Sequence, residues 1–117
     1  MQEYHVTVND CKIIWLQNGK YHRLDGPAVE YVDGEKQWWQ NGEIHRLDGP
    51  AIEYANGSKL WYQNGERHRT DGPAVECADG SVEYWVNGRQ IPNPNEVKEM
   101  TVEQIIEALG HNVKIVK

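Results

Sequence analysis

Residues 17–39 read QNGKYHRLDGPAVEYVDGEKQWW. Residues 40–62 read QNGEIHRLDGPAIEYANGSKLWY, and residues 63–85 read QNGERHRTDGPAVECADGSVEYW. Gln17, Gln40 and Gln63 open the three copies, so the period is 23 residues with no insertion. A fourth copy starts at Val86 as VNGRQIPN and stops. The common core is N-G-x-x-H-R-x-D-G-P-A-[VI]-E-x-x-[DN]-G. Strict self-similarity at this period marks a repeat array, in which each unit buries its apolar surface against its neighbours.

Of the 11 glycines, ten directly follow Asn or Asp, and only Gly110 stands apart. Asn-Gly and Asp-Gly tolerate the positive φ that tight hairpins need, so each dipeptide is read as a turn. The fold expected is all-β: a single antiparallel β-meander of hairpin repeats. Two strands per repeat keep successive units in equivalent environments, whereas an odd number would reverse direction from one unit to the next. Strand A is placed at 28–32, 51–55 and 74–78, and strand B at 35–40, 58–63 and 81–86. Residues 12–17 supply an extra B strand, and EYHVTV at 3–8 a further strand. A two-residue loop at Asp33-Gly34 would pair Val32 with Glu35 and Val29 with Trp38. One face would then carry Val29, Tyr31, Lys36 and Trp38, with Trp15 starting the aromatic row, and this face is read as the core. The other would carry Ala28, Glu30, Gln37 and Trp39. The segment N-G-x-x-H-R-x-D-G is read as a folded connecting loop.

Pro92 and Pro94 end the repeats. Thr101 to Gln104 then reads as a capping box, Val102, Ile105, Ile106 and Leu109 as a helical stripe, and Gly110 as its stop. A short C-terminal helix and a terminal strand are therefore expected as a cap. The 117 residues suit one domain, with an N-terminal strand region (1–14), repeats (15–91) and cap (92–117).

The net charge of −6 and the lack of any long Lys/Arg block argue against nucleic acid. No apolar run is long enough to cross a membrane as a helix. The first residues, MQEYHVTVNDCK, lack the basic and apolar segments of a signal peptide, and Cys11 and Cys77 form no disulfide framework, so a cytoplasmic location is expected.

The W-x-N-G-x-x-H pattern followed by an aromatic-x-[DN]-G turn resembles the MORN repeat, and the H-R-x-D-G-P-A core is closer to the MORN-variant group that includes the YwqK-type antitoxin-like proteins. Such arrays also resemble small proteins of tailed phages and bacteria. The resemblance covers residues 15–91. It implies an array of antiparallel hairpins and contact with proteins, including inhibition or redirection of a host protein by a phage product. The Arg and Asp that stand where MORN units carry glycine argue against the phospholipid binding seen with some MORN arrays.

Two residue sets are candidates for function. Leu16, Trp39, Tyr62 and Trp85 form a row of large side chains flanked by Glu30, Glu53 and Glu76, suited to a basic protein partner. His22, Arg23 and Asp25 recur as His45, Arg46, Asp48 and as His68, Arg69, Asp71. These triplets either brace their loops or bind an anion such as a nucleotide, and regular triplication favours bracing. Equivalent histidines lie two strands apart, roughly 10 Å, too far to share a metal ion. Neither a metal nor a cofactor is expected. No nucleophile has a base at a matching position, so the chain is read as no enzyme. The leading expectation is a protein-binding module. The alternatives are an anionic-ligand binder and a homo-oligomeric assembly protein.

Overall fold

A computed structural model describes residues 4–94. The expected helix and terminal strand lie outside the described residues. Within them every regular element is a strand. In chain order these are β1 (His5–Val8), β2 (Lys12–Gln17), β3 (Lys20–Tyr21), β4 (Val29–Tyr31), β5 (Lys36–Gln37), β6 (Trp39–Gln40) and β7 (Glu43–Ile44). They continue as β8 (Ile52–Glu53), β9 (Lys59–Leu60), β10 (Tyr62–Gln63), β11 (Glu66–Arg67), β12 (Val75–Glu76), β13 (Val82–Val86) and β14 (Arg89–Ile91). One large antiparallel sheet runs β1-β2-β4-β5-β8-β9-β12-β13-β14, with β3 paired to β2 beside this path. The hairpins β6-β7 and β10-β11 stand apart from it. The molecule measures 65 × 31 × 17 Å with a radius of gyration of 19.7 Å. A compact domain of about 100 residues has a radius near 13 Å, so this is an elongated array.

The meander is as expected, but the first two repeats have four strand segments each rather than two, while the third keeps its B strand whole as β13. The expected B strand breaks at Trp38 and again at Trp61. Its first half pairs with the next A strand, as in Gln37 with Ile52. Its second half turns back on itself, pairing Trp39 with Ile44 and Gln40 with Glu43. The reversal is made by the Asn-Gly dipeptide. Asn18, Asn41, Asn64 and Asn87 have φ of 50–52° and the glycines after them 75–81°. Two consecutive left-handed residues make a type I′ turn, whose twist suits a two-residue hairpin.

The turns between A and B differ from this, and they move the register. Tyr31 N–H donates to Glu35 O at 2.8 Å, and Gly34 N–H donates to Tyr31 O at 3.0 Å. The loop therefore holds three residues, Val32, Asp33 and Gly34, with positive φ only at Gly34 (101°). That is a type I turn closed by a left-handed glycine. Asp33 Oδ1 accepts Glu35 N–H at 2.9 Å, which stabilises the turn. Val29 consequently faces Gln37, and Glu30 faces Lys36, one residue away from the expected pairing. A one-residue slip exchanges the faces of one strand relative to its neighbour. Glu30 thus joins the face that carries the Trp15 row.

The most buried residues come from the G-P-A-[VI] tetrapeptide: Ala28, Ala51 and Ala74 at 0% exposure, with Val29, Ile52 and Val75 beside them. Adjacent strand residues point to opposite faces, so the array is sealed on both sides at this level. Trp15 N–H donates to Ala28 O, Trp38 to Ala51 and Trp61 to Ala74. The pairing of a large ring with a methyl in each step lets the strands pack closely.

Candidate functional site

Each His-Arg-x-Asp-Gly-Pro loop folds around its arginine. Arg23 Nε donates to Asp25 Oδ1 at 2.9 Å and Nη1 donates to Pro27 O at 3.3 Å. Its guanidinium lies 4.0 Å from the centroid of the Trp15 ring and 3.6 Å from Glu30 Oε1. Arg46 repeats this on Asp48, Pro50 O, Trp38 (3.8 Å) and Glu53 (3.7 Å). Arg69 does so on Asp71, Pro73 O, Trp61 (4.0 Å) and Glu76 (3.0 Å). Stacking on the tryptophan contributes on the order of 1 kcal/mol. The aspartates are exposed, and such pairs add little. The hydrogen bond from Arg23, and then its charge, hold the Asp25 carboxyl below its ordinary 3.8. Arg46 lowers Asp48 in the same way.

The glycine of this loop is there for space. Gly26, Gly49 and Gly72 have no positive φ, contrary to the expectation that every Asp-Gly is a left-handed turn. A Cβ on them would come within 2.9, 2.9 and 2.8 Å of the Cζ of Arg23, Arg46 and Arg69.

The histidines tie one repeat to the next. His22 Nδ1 accepts Asn41 N–H at 2.9 Å, His45 accepts Asn64 at 2.9 Å, and His68 accepts Asn87 at 3.0 Å. Beside each, a loop arginine N–H donates to the next repeat: Arg23 to Trp39 O, Arg46 to Tyr62 O and Arg69 to Trp85 O. Gly42, Gly65 and Gly88 N–H groups close the same junctions on Tyr21, Ile44 and Arg67 carbonyls. All three triplets therefore have bracing contacts.

The aromatic–acidic surface expected from the sequence is divided. Glu30, Glu53 and Glu76 lie with the Trp15, Trp38, Trp61 row and its arginines. Lys36 and Lys59 stand between them in the ladder, paired with Glu30, Glu53 and Glu76. Trp39 belongs to the Gln37 side, where its Nε1 donates to Gln37 Oε1 at 2.9 Å and Tyr21 meets it edge-on at 5.2 Å. Tyr62 OH accepts Arg67 Nε at 3.1 Å, and the same guanidinium covers Trp85 at 4.9 Å. Leu16 heads this row opposite Tyr21. All four are half-buried. The charges beside each row are thus largely neutralised within the fold.

What stays open is the space between successive loops. A groove of about 570 Å³ is bounded by Arg23, Leu24 and Asp25 on one side and by His45, Arg46 and Leu47 on the other, above Trp38. The next, of about 370 Å³, is bounded by Leu47 and Asp48 and by His68, Arg69 and Thr70, above Trp61. Leu24 and Leu47 are 60% and 73% exposed on its rim. These leucines were missed in the sequence reading. Their signal is an apolar residue inside an otherwise polar loop. Among the described residues no group of three or more His, Cys, Asp or Glu could hold a metal ion. No helix among them is long and apolar enough to cross a membrane. No family model matches the chain, and comparisons with curated proteins and with solved structures give no match either.

Proposed function

We propose that the chain is a non-enzymatic, MORN-like protein-binding repeat module whose partner lies in the grooves between successive His-Arg-x-Asp loops. The observation that carries this reading is the recurrence of one groove in register, with a tryptophan floor and exposed Leu24 and Leu47 on the rim. Exposed apolar groups beside an aromatic ring are suited to the buried centre of an interface. The arginines are already engaged by Asp, Glu, a carbonyl and a ring, which makes them weaker anion ligands. The likeness to small phage proteins makes a bacterial host protein the first partner to test.

The test is affinity capture with the full chain as bait. Leu24→Arg with Leu47→Arg should reduce recovery of a specific partner by roughly tenfold, equivalent to about 1.4 kcal/mol. Val32→Arg should leave it unchanged, since Val32 sits 82% exposed on a turn outside both grooves. Equal recovery with all three proteins would remove the groove as the binding surface. Edge-to-edge assembly is the second reading, favoured by β1 and β14, the terminal strands of the sheet, which are exposed at every residue. A strictly monomeric mass in light scattering would dismiss it.

A further inference from the structure

Among the described residues no His-Arg-x-Asp loop precedes that of the first repeat, and the chain's own Tyr4 fills the position a groove would have there. The Tyr4 ring stacks on His22 with centroids 6.0 Å apart and planes at 19°. It also meets Trp15 edge-on at 5.8 Å and 77°. Trp15 and His22 correspond, one period on, to Trp38 and His45, and then to Trp61 and His68. Those two pairs line the two open grooves. His22 is only 4% exposed, and its Nε2 is buried without a partner. His45 and His68 are half-buried. One niche of the three is therefore filled from within, and two with the same chemistry are open.

From this we infer that the Trp38–His45 and Trp61–His68 niches each receive a tyrosine side chain of a partner polypeptide, seated as Tyr4 is on Trp15 and His22. The inference rests on the protein-binding reading above and names the group that is bound. In each niche an arginine stacks on the tryptophan, Arg46 on Trp38 and Arg69 on Trp61, as Arg23 does on Trp15. A ring held by a cation meets a second ring well at its edge. The spacing then selects the partner's backbone. Neighbouring niches are two strands apart, about 9.6 Å at roughly 4.8 Å per strand. A polyproline II segment advances ~9.3 Å over its three-residue turn, so residues i and i+3 point the same way at that distance. A β-strand places same-face residues ~6.7 or ~13.4 Å apart and misses the spacing. The ligand expected is a polyproline II segment with tyrosine at every third position.

The experiment is an NMR titration of the full chain with acetylated, amidated peptides Y-P-P-Y and Y-P-P-Y-P-P-Y, and with the same peptides carrying Ser for Tyr. The indole N–H signals of the 5 tryptophans are the readout. In the wild type, tyrosine peptides should shift Trp38 and Trp61 and leave Trp15 in place. In Tyr4→Ala, Trp15 should shift as well, and the longer peptide should bind about tenfold tighter than to the wild type, because a third niche adds a linked contact. Unmoved Trp38 and Trp61 signals, or equal shifts with the serine peptides, would overturn the inference. The wild-type titration decides this alone, so the result does not depend on how the variant folds. A partner captured through Leu24 and Leu47 while tyrosine peptides leave Trp38 and Trp61 unmoved would overturn the tyrosine assignment and keep the binding-module reading.

Discussion

Gly49 shows how much a single position can carry here. Its Cβ site is occupied by the Arg46 guanidinium, which Asp48, the Pro50 carbonyl and Trp38 hold from other sides. Gly49→Ala should therefore push the guanidinium off these partners and destabilise the protein by about 1 kcal/mol, the scale of the ring stacking it disturbs. In an Arg46→Ala background the same substitution should cost almost nothing. Urea unfolding of the four proteins in a double-mutant cycle measures the difference. A second expectation concerns acid. Asp25 and Asp48 have folded values below 3.8. A depressed carboxyl contributes stability that is present above its unfolded value and lost as the pH falls through its folded one. Asp25→Asn with Asp48→Asn should thus lose less stability between pH 5 and pH 3 than the wild type, by denaturant titration at each pH. The His-Arg-x-Asp triplets were legible in the sequence as a motif recurring every 23 residues, and their triplication argued for loop contacts over a catalytic site. The function of Gly26, Gly49 and Gly72 was not, because an Asp-Gly pair looks the same whether glycine supplies a left-handed φ or room for a neighbour.

At the scale of elements, two turn chemistries alternate along the chain. The Asn-Gly turns demand left-handed geometry at both residues, and Asn is one of the few side chains that adopts it at low cost. Asn64, with φ of 52°, is a direct test. Asn64→Ala should lose about 1 kcal/mol, and Asn64→Gly should remain close to the wild type, in thermal or urea unfolding. The three-residue A–B turns are where sequence and structure part. Val32-Asp33-Gly34 and a two-residue Asp33-Gly34 loop have the same residues. Only the conformation of Asp33, with no positive φ, sets the longer loop. That one residue of register brings Glu30 to Arg23 and takes Trp39 to the other side, so the expected aromatic–acidic surface does not form as a unit.

For the whole molecule, stability is a sum of similar units and of the junctions between them. Removing residues 40–62 takes out one full period and joins Trp39 to Gln63, restoring the same dipeptide context as Tyr62-Gln63 and Trp39-Gln40. The shortened protein should still unfold cooperatively, at lower denaturant, and small-angle scattering should show it about 10 Å shorter. Removing only residues 51–62, which deletes β8, β9 and Tyr62 of β10 but keeps hairpin β6-β7, should abolish cooperative unfolding. The period, the all-β class, the meander and the burial of Val29, Ile52 and Val75 follow from local rules, since turn dipeptides and strand alternation act over a few residues, whereas the equal burial of Ala28, Ala51 and Ala74 does not. The division of the first two B strands, the register and the open grooves required the tertiary structure. The grooves depend on groups about one period apart, such as His45 on Asn64 or Tyr4 on His22, and the register on a turn conformation that the Asp-Gly dipeptide alone does not select.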